Sequence, residues 1–150
     1  MAYWLFKTEP DEFSLEDLKK SETTRWDSIR NYGARNRLQE CVPDDLVLFY
    51  HSGRNPAVVG IAKVVSDPYP DPLQFDPESD YFDAKATEKK PRWYAVDIAF
   101  ERELDQPVTL DSMKDNEALS DLEVLGQPRL SVSRVTEAQW QLLTSSDAEA

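Results

Sequence analysis

Trp26 heads the stretch Trp26-Asp27-Ser28-Ile29-Arg30-Asn31-Tyr32-Gly33-Ala34-Arg35-Asn36-Arg37, in which an indole is followed by amides and guanidinium groups rather than by an apolar run. Those residue types suit the capture of an unstacked heterocycle. A base removed from its stack needs a π face in place of its neighbours, and donors and acceptors in place of its pairing partner. Trp26 offers the face, and Asn31 and Asn36 can each donate and accept at a base edge. The same residues have plainer uses: Trp26 can pack beneath the Arg-rich segment, and Asn31 and Asn36 can cap helix ends.

Tyr50, His51 and Ser52 follow an apolar run and fall where a strand leaves its sheet, a position that projects side chains toward a cleft. His51 is equally suited to a satisfied structural role. Trp93 and Asp97 belong to a second strand-like run. Trp93 can wall a pocket or fill the core, and Asp97 can accept from a base amino group or pair with an arginine. Ser14 precedes a helical pattern, as cap or as ligand contact. Lys7, Arg30 and Arg35 are the candidates for phosphate contacts, with salt bridges to the many carboxylates as the alternative. Ser52, His51 and Asp97 also have the residue types of a hydrolytic triad. Adjacent residues rarely present nucleophile and base to each other, however, and no Gly-x-Ser-x-Gly elbow is present. The four glycines form no phosphate-binding motif. Catalysis is therefore not expected, and the competing class is an acidic adaptor that takes a protein or small metabolite in the same cleft.

The elements that must position these groups are legible in outline. Tyr3-Trp4-Leu5-Phe6-Lys7 reads as a central strand that stops before Pro10. Ser14 then caps a short helix over residues 15–20, with acids early and Lys19 and Lys20 late. Residues 26–38 hold one or two helical turns. The β-branched runs 46–50 and 57–65 flank a Ser-Gly-Arg-Asn-Pro turn and predict an antiparallel hairpin. Pro68, Pro70, Pro72 and Pro77 make 67–80 a surface loop. A strand follows over 93–100, then a partial helix within 109–122, a short strand or turn at 130–132 and a final helix capped by Thr136, with 145–150 expected to fray. The sum is one α+β domain over residues 1–150, with a mostly antiparallel, curved or barrel-like sheet flanked by short helices.

The chain has 150 residues, enough for one core. Its net charge of -12 argues against a generally basic nucleic-acid coat, yet Arg25, Arg30, Arg35 and Arg37 lie close together and leave room for a local positive face. With Cys41 and His51 the only residues of their kinds, neither an intrachain disulfide nor a Cys/His zinc site is expected. The sequence shows neither a membrane-spanning run nor a leader, which gives an expectation of a cytoplasmic monomer without cofactors.

Six segments carry a resemblance. Tyr-Trp-Leu-Phe-Lys-Thr-Glu-Pro (3–10), Trp-Asp-Ser-Ile-Arg-Asn-Tyr-Gly-Ala-Arg-Asn (26–36), Phe-Tyr-His-Ser (49–52), Val-Val-Gly-Ile-Ala-Lys-Val-Val (58–65), Trp-Tyr-Ala-Val-Asp (93–97) and Arg-Leu-Ser-Val (129–132) occur in an order that resembles the EVE domain family. The resemblance implies a PUA-like pseudobarrel, related to YTH and ASCH domains, whose pocket receives a flipped and modified base. The partners it implies are DNA carrying 5-methylcytosine or 5-hydroxymethylcytosine, or modified RNA. A pocket built from the indole of Trp26 and the groups above predicts that Trp26→Ala abolishes base binding with the fold intact.

Overall fold

A computed structural model describes the backbone of residues 2–127 and 129–149, with side chains through residue 144. Along the chain run β1 (Tyr3–Thr8), α1 (Leu15–Ser21), β2 (Thr23–Trp26), α2 (Tyr32–Leu38), β3 (Leu46–His51), β4 (Ala57–Val64), β5 (Tyr69–Pro70), β6 (Tyr94–Thr109), α3 (Leu110–Lys114), α4 (Glu123–Gly126), β7 (Val132–Val135) and α5 (Glu137–Glu149). Single 3-10 turns occur at Pro72–Phe75 and Glu117–Leu119. Side chains of the segment expected to fray, 145–150, lie outside the described residues.

The seven strands form a sheet in the order β2-β6-β4-β3-β1-β7, with β5 on β6. Among the described residues only β1 and β3 pair in parallel, and the other pairings are antiparallel. This is the expected α+β, PUA-like class, with one qualification: the end strands β2 and β7 do not pair, so the curved sheet does not close into a barrel. Register shifts between β4 and β6, at Val58/Gly60 and Ile61/Ala62, bend it.

Alternation along the central strands divides the interior in two. Trp4, Phe6, Val47 and Phe49 face one core with Leu15, Leu18, Trp26, Ala34 and Leu38. Leu5, Leu48 and Tyr50 face the other, with Met113, Leu122, Trp140 and Leu143. Because β1 and β3 are buried on both faces, they read as continuous apolar runs. Gly60 allows α1 to approach: a Cβ there would lie 2.6 Å from Leu15 Cδ2 and 2.9 Å from the Arg102 carbonyl oxygen.

Helix caps behave as the sequence indicated. Ser14 Oγ accepts from the Asp17 N–H while Asp17 accepts from the Ser14 N–H, a capping box. Thr136 and Gln139 make the same reciprocal pair ahead of α5. Three strands depart most from expectation. β5 lies inside the proline-rich segment 67–80, expected to be a surface loop: Tyr69–Pro70 pair with β6, and Asp71 and Gln74 after them are fully buried. β2 is only four residues and owes its form to its pairing with β6, from Thr23↔Ala99 to Trp26↔Val96. β6 runs nine residues past Phe100, through a polar stretch whose composition conceals a strand held by β4. Pro107 is accommodated in the irregular stretch of that ladder.

Candidate base-binding cleft

A cleft of about 660 Å³ opens where β1 and β3 end side by side. Lys7 and Thr8 come from the end of β1, Glu9, Glu12 and Phe13 from the turn after it, and Ser52 from the residue after β3. β2 contributes Thr24, Arg25 and Trp26, the loop behind it Asp27, Ser28 and Ile29, and Tyr81 and Ser131 complete the wall. The volume falls within the range of small-ligand sites, about 300 to 1,000 Å³.

Trp26 is the cleft's largest ring and belongs to the core at the same time. It is 7% exposed and packs on Phe6, with ring centres 5.4 Å apart, and edge-on against Phe49 at 5.7 Å. The wall is therefore rigid, and the expectation that Trp26 could be deleted with the fold intact does not hold, because its removal opens the core beneath the cleft.

The polar lining is held as firmly. Arg25 Nε donates to Asp27 Oδ2 at 2.7 Å, and Ser28 Oγ donates to Asp27 Oδ1 at 2.9 Å. Ser28 has a φ of 67°, a left-handed conformation uncommon for serine. That twist turns its N–H onto Asp71 Oδ2, 2.8 Å away. Asp71 is fully buried and also accepts from the Leu73 N–H at 2.8 Å and from Arg30 Nη1 at 3.0 Å. Burial holds the Lys7 amine below the usual lysine range, and the hydrogen bond to Asp27 raises Arg25. Two cations, Lys7 and Arg25, face three carboxylates, Glu9, Glu12 and Asp27. Such a balance does not suit a phosphate, which needs net positive charge, but suits a neutral heterocycle with donors and acceptors on its edge.

Of the residues expected to form a base pocket, Trp26 and Ser52 line this cleft, with Lys7 from the phosphate set. The others are placed elsewhere, each for an identifiable reason. Ser14 is occupied as the cap of α1. Asn31 caps α2, its Oδ1 accepting from the Ala34 N–H at 2.9 Å. Asn36 is exposed and accepts from Arg35 Nε and Nη2. Tyr50 points to the opposite face of the sheet, into the second core, because it alternates with Phe49 and His51. His51 accepts from the Leu15 N–H at Nε2, 3.0 Å, so its imidazole anchors the start of α1. Asp97 accepts from the Tyr69 hydroxyl at 2.6 Å, not from an arginine side chain.

Trp93 anchors a separate layer. Its Nε1 donates to Asp83 Oδ2 at 2.8 Å, and its ring stacks on Tyr32 at 5.0 Å. Arg30, Arg35 and Arg92 each lie over this ring, 5.5 to 5.9 Å from its centre. The two arginines assigned to phosphate are engaged here. Arg30 Nε and Nη2 both donate to the Tyr81 carbonyl, and Arg35 Nη1 donates to the Arg92 carbonyl. The hydrolytic arrangement is not assembled either: Ser52 Oγ donates to the Thr8 carbonyl at 3.3 Å, and His51 and Asp97 are engaged as described.

Sequence reading missed Thr8, Phe13, Arg25, Asp27, Ser28, Tyr81 and Ser131. Several of them fall inside the segments that carry the family resemblance, where neighbouring residues drew attention by their chemical type instead. Among the described residues no group of three or more His, Cys, Asp or Glu side chains is placed to hold a metal ion, and no helix is long and apolar enough to cross a membrane.

Comparison with known proteins shows the family and the fold. The EVE domain model matches residues 2–146. Thymocyte nuclear protein 1 of Gallus gallus is 32% identical over 168 aligned residues, covering 99% of this chain and 69% of that protein. A crystal structure of a Pseudomonas syringae protein is 43% identical, covers 97% of this chain and 99% of its own, and superposes with a TM-score of 0.91. The human THYN1 protein, in a crystal structure with DNA containing 5-methylcytosine, is 30% identical, with coverage of 98% on both sides and a TM-score of 0.93. An ASCH protein of Zymomonas mobilis, 12% identical with a TM-score of 0.57, shares the fold.

Proposed function

This chain belongs to the EVE domain family, and from that premise we propose that it binds nucleic acid by holding one withdrawn base, of the 5-methylcytosine type, in the cleft beside Trp26. The observation that carries the reading is the lining itself: one rigid indole, with donors and acceptors around it and a near balance of charge. The complex of human THYN1 with 5-methylcytosine DNA supports the ligand class.

Within the cleft, roles follow from chemistry. The Trp26 ring replaces part of the lost stacking, worth about 1 to 3 kcal/mol per base. Asp27 accepts from the exocyclic amine of cytosine, since each carboxylate oxygen has a second lone pair beyond its contact with Arg25 or Ser28. Thr8 and Ser52 offer hydroxyls, and Phe13 and Ile29 offer apolar surface to a 5-methyl group. Base selection, in this reading, is by cleft contacts, and the phosphates lie outside.

Oligonucleotides that differ only in cytosine, 5-methylcytosine or 5-hydroxymethylcytosine, as single and double strands of DNA and as RNA, test it by fluorescence anisotropy at two salt concentrations. The expected result is tighter binding of one modified form, with the preference reduced in Asp27→Asn. No binding, or equal binding across the panel, favours the acidic adaptor instead.

A further inference from the structure

Tyr81 and Phe82 are 41% and 42% exposed, the one adjacent pair among the large hydrophobic side chains exposed in the described residues. The loop that carries them is braced at nearly every step. The Tyr81 N–H donates to Ser79 Oγ, the Phe82 N–H to the Ser79 carbonyl, and the Asp83 N–H to the Gln74 carbonyl. From the other side the Arg30 fork grips the Tyr81 carbonyl, and Trp93 Nε1 grips Asp83. The aromatic pair is thus presented on a preorganised support, which lowers the ordering cost of any contact it makes.

Charge on the same loop points to one kind of partner. Lys85, Lys89 and Lys90 are exposed and take part in no ion pair among the described residues. A tight turn, closed by backbone hydrogen bonds of 3.3 and 3.0 Å exchanged between Thr87 and Lys90, places Glu88 and Lys89 at its tip and Lys90 at its base. Two residues on, Arg92 meets Tyr32 and Arg35 beside α2. In a chain of net charge -12, residues 79–92 carry four cations, Lys85, Lys89, Lys90 and Arg92, against three acids, Asp80, Asp83 and Glu88, and Arg92 is paired with Asp83. Tyr81 belongs to the cleft wall, so the loop that carries the aromatic pair and the lysines begins at the cleft.

We propose that this loop, 79–92, is a second DNA-contacting element, in which Phe82 stacks against a base next to the withdrawn one while Lys89 and Lys90 contact the phosphates of the flanking strand. The inference rests on the cleft being the base site, and it adds the element that supplies affinity without reading the modification. Aromatic stacking tolerates any base, and lysine neutralises phosphates regardless of sequence.

The test uses DNA duplexes with and without one 5-methylcytosine, titrated by anisotropy against the intact chain, Phe82→Ala and the double variant Lys89→Ala/Lys90→Ala, with thermal melts to verify the fold. The expected results are binding about tenfold weaker for Phe82→Ala, and for the double variant a loss equal on both duplexes with a salt slope shallower by about 1.8, near 0.9 per lost phosphate contact. Variants that bind as tightly as the unaltered chain, with the unaltered chain binding DNA, overturn the loop's role and leave the cleft reading standing. An unaltered chain that binds neither duplex overturns both.

Discussion

The imidazole of His51 accepts, at Nε2, the backbone N–H of Leu15, 3.0 Å away, and so couples the end of β3 to the first turn of α1. An N-terminal helical N–H has no partner within its own helix, and here a side chain from 36 residues away satisfies it. The bond requires an unprotonated Nε2. Burial acts in the same direction and lowers the imidazole below the ordinary value of 6.5.

A pH dependence follows, with a definite sign. Above 6.5 both folded and unfolded chains hold His51 neutral, and its contribution is fully present. Below that value the unfolded chain takes up a proton that the folded chain resists, so stability falls as pH falls toward the lowered folded value. Urea unfolding between pH 7 and 5 should show this decline, and His51→Gln should flatten it. An unchanged slope in the variant would remove His51 as the cause. Glu123 gives a separate, more acidic window: the bond from Arg37 depresses its carboxyl below 4.5, so stability present above 4.5 is lost as pH falls further.

Replacement of Trp26 by alanine should destabilise the fold by about 3 to 5 kcal/mol, the usual cost of deleting a buried large aromatic. Trp26→Phe should keep most of that stability, because Phe6 and Phe49 retain an aromatic neighbour. Denaturant midpoints distinguish the two. An alanine variant as stable as the parent chain would place the indole outside the core.

Arg30 is the counter-charge of fully buried Asp71, and removing it leaves a carboxylate in the interior with two backbone donors and no hydrogen-bonded cation. Arg30→Met should lower stability by about 3 kcal/mol. A phosphate-binding arginine would behave otherwise: it would weaken DNA binding and its salt dependence with little change in the melting temperature. The two measurements together decide which account of Arg30 stands.

Gly60 has no room for a side chain. Gly60→Ala should cost about 1 to 3 kcal/mol, since the new methyl meets the backbone oxygen of Arg102 as well as Leu15. Leu15→Ala in the same chain should recover part of the loss by clearing one of the two contacts. A double variant no better than Gly60→Ala would assign the cost to the Arg102 carbonyl alone.

Much of the architecture was written locally. Capping boxes at Ser14 and Thr136 and the β3-β4 hairpin are set by residues within a few positions of one another, so the sequence determined them. The six family segments, taken together, also determined the fold class. Alternation alone further implied that Tyr50 and His51 face opposite sides of β3, a constraint that a search by residue type overlooks.

Only the tertiary structure decided which polar groups face the cleft. Arg30 meets Asp71 across 41 residues, His51 meets Leu15 across 36, and Arg35 meets the Arg92 carbonyl across 57. Residue type shows what a side chain is able to donate or accept, but buried polar groups bind whichever partner the fold brings within about 3 Å, and that partner is set by sheet order and loop path. The cleft is therefore lined in large part by Thr8, Arg25, Asp27, Ser28 and Tyr81, while Asn31, Arg30 and Arg35, which looked like ligand groups, bond within the protein, and exposed Asn36 bonds to its neighbour Arg35.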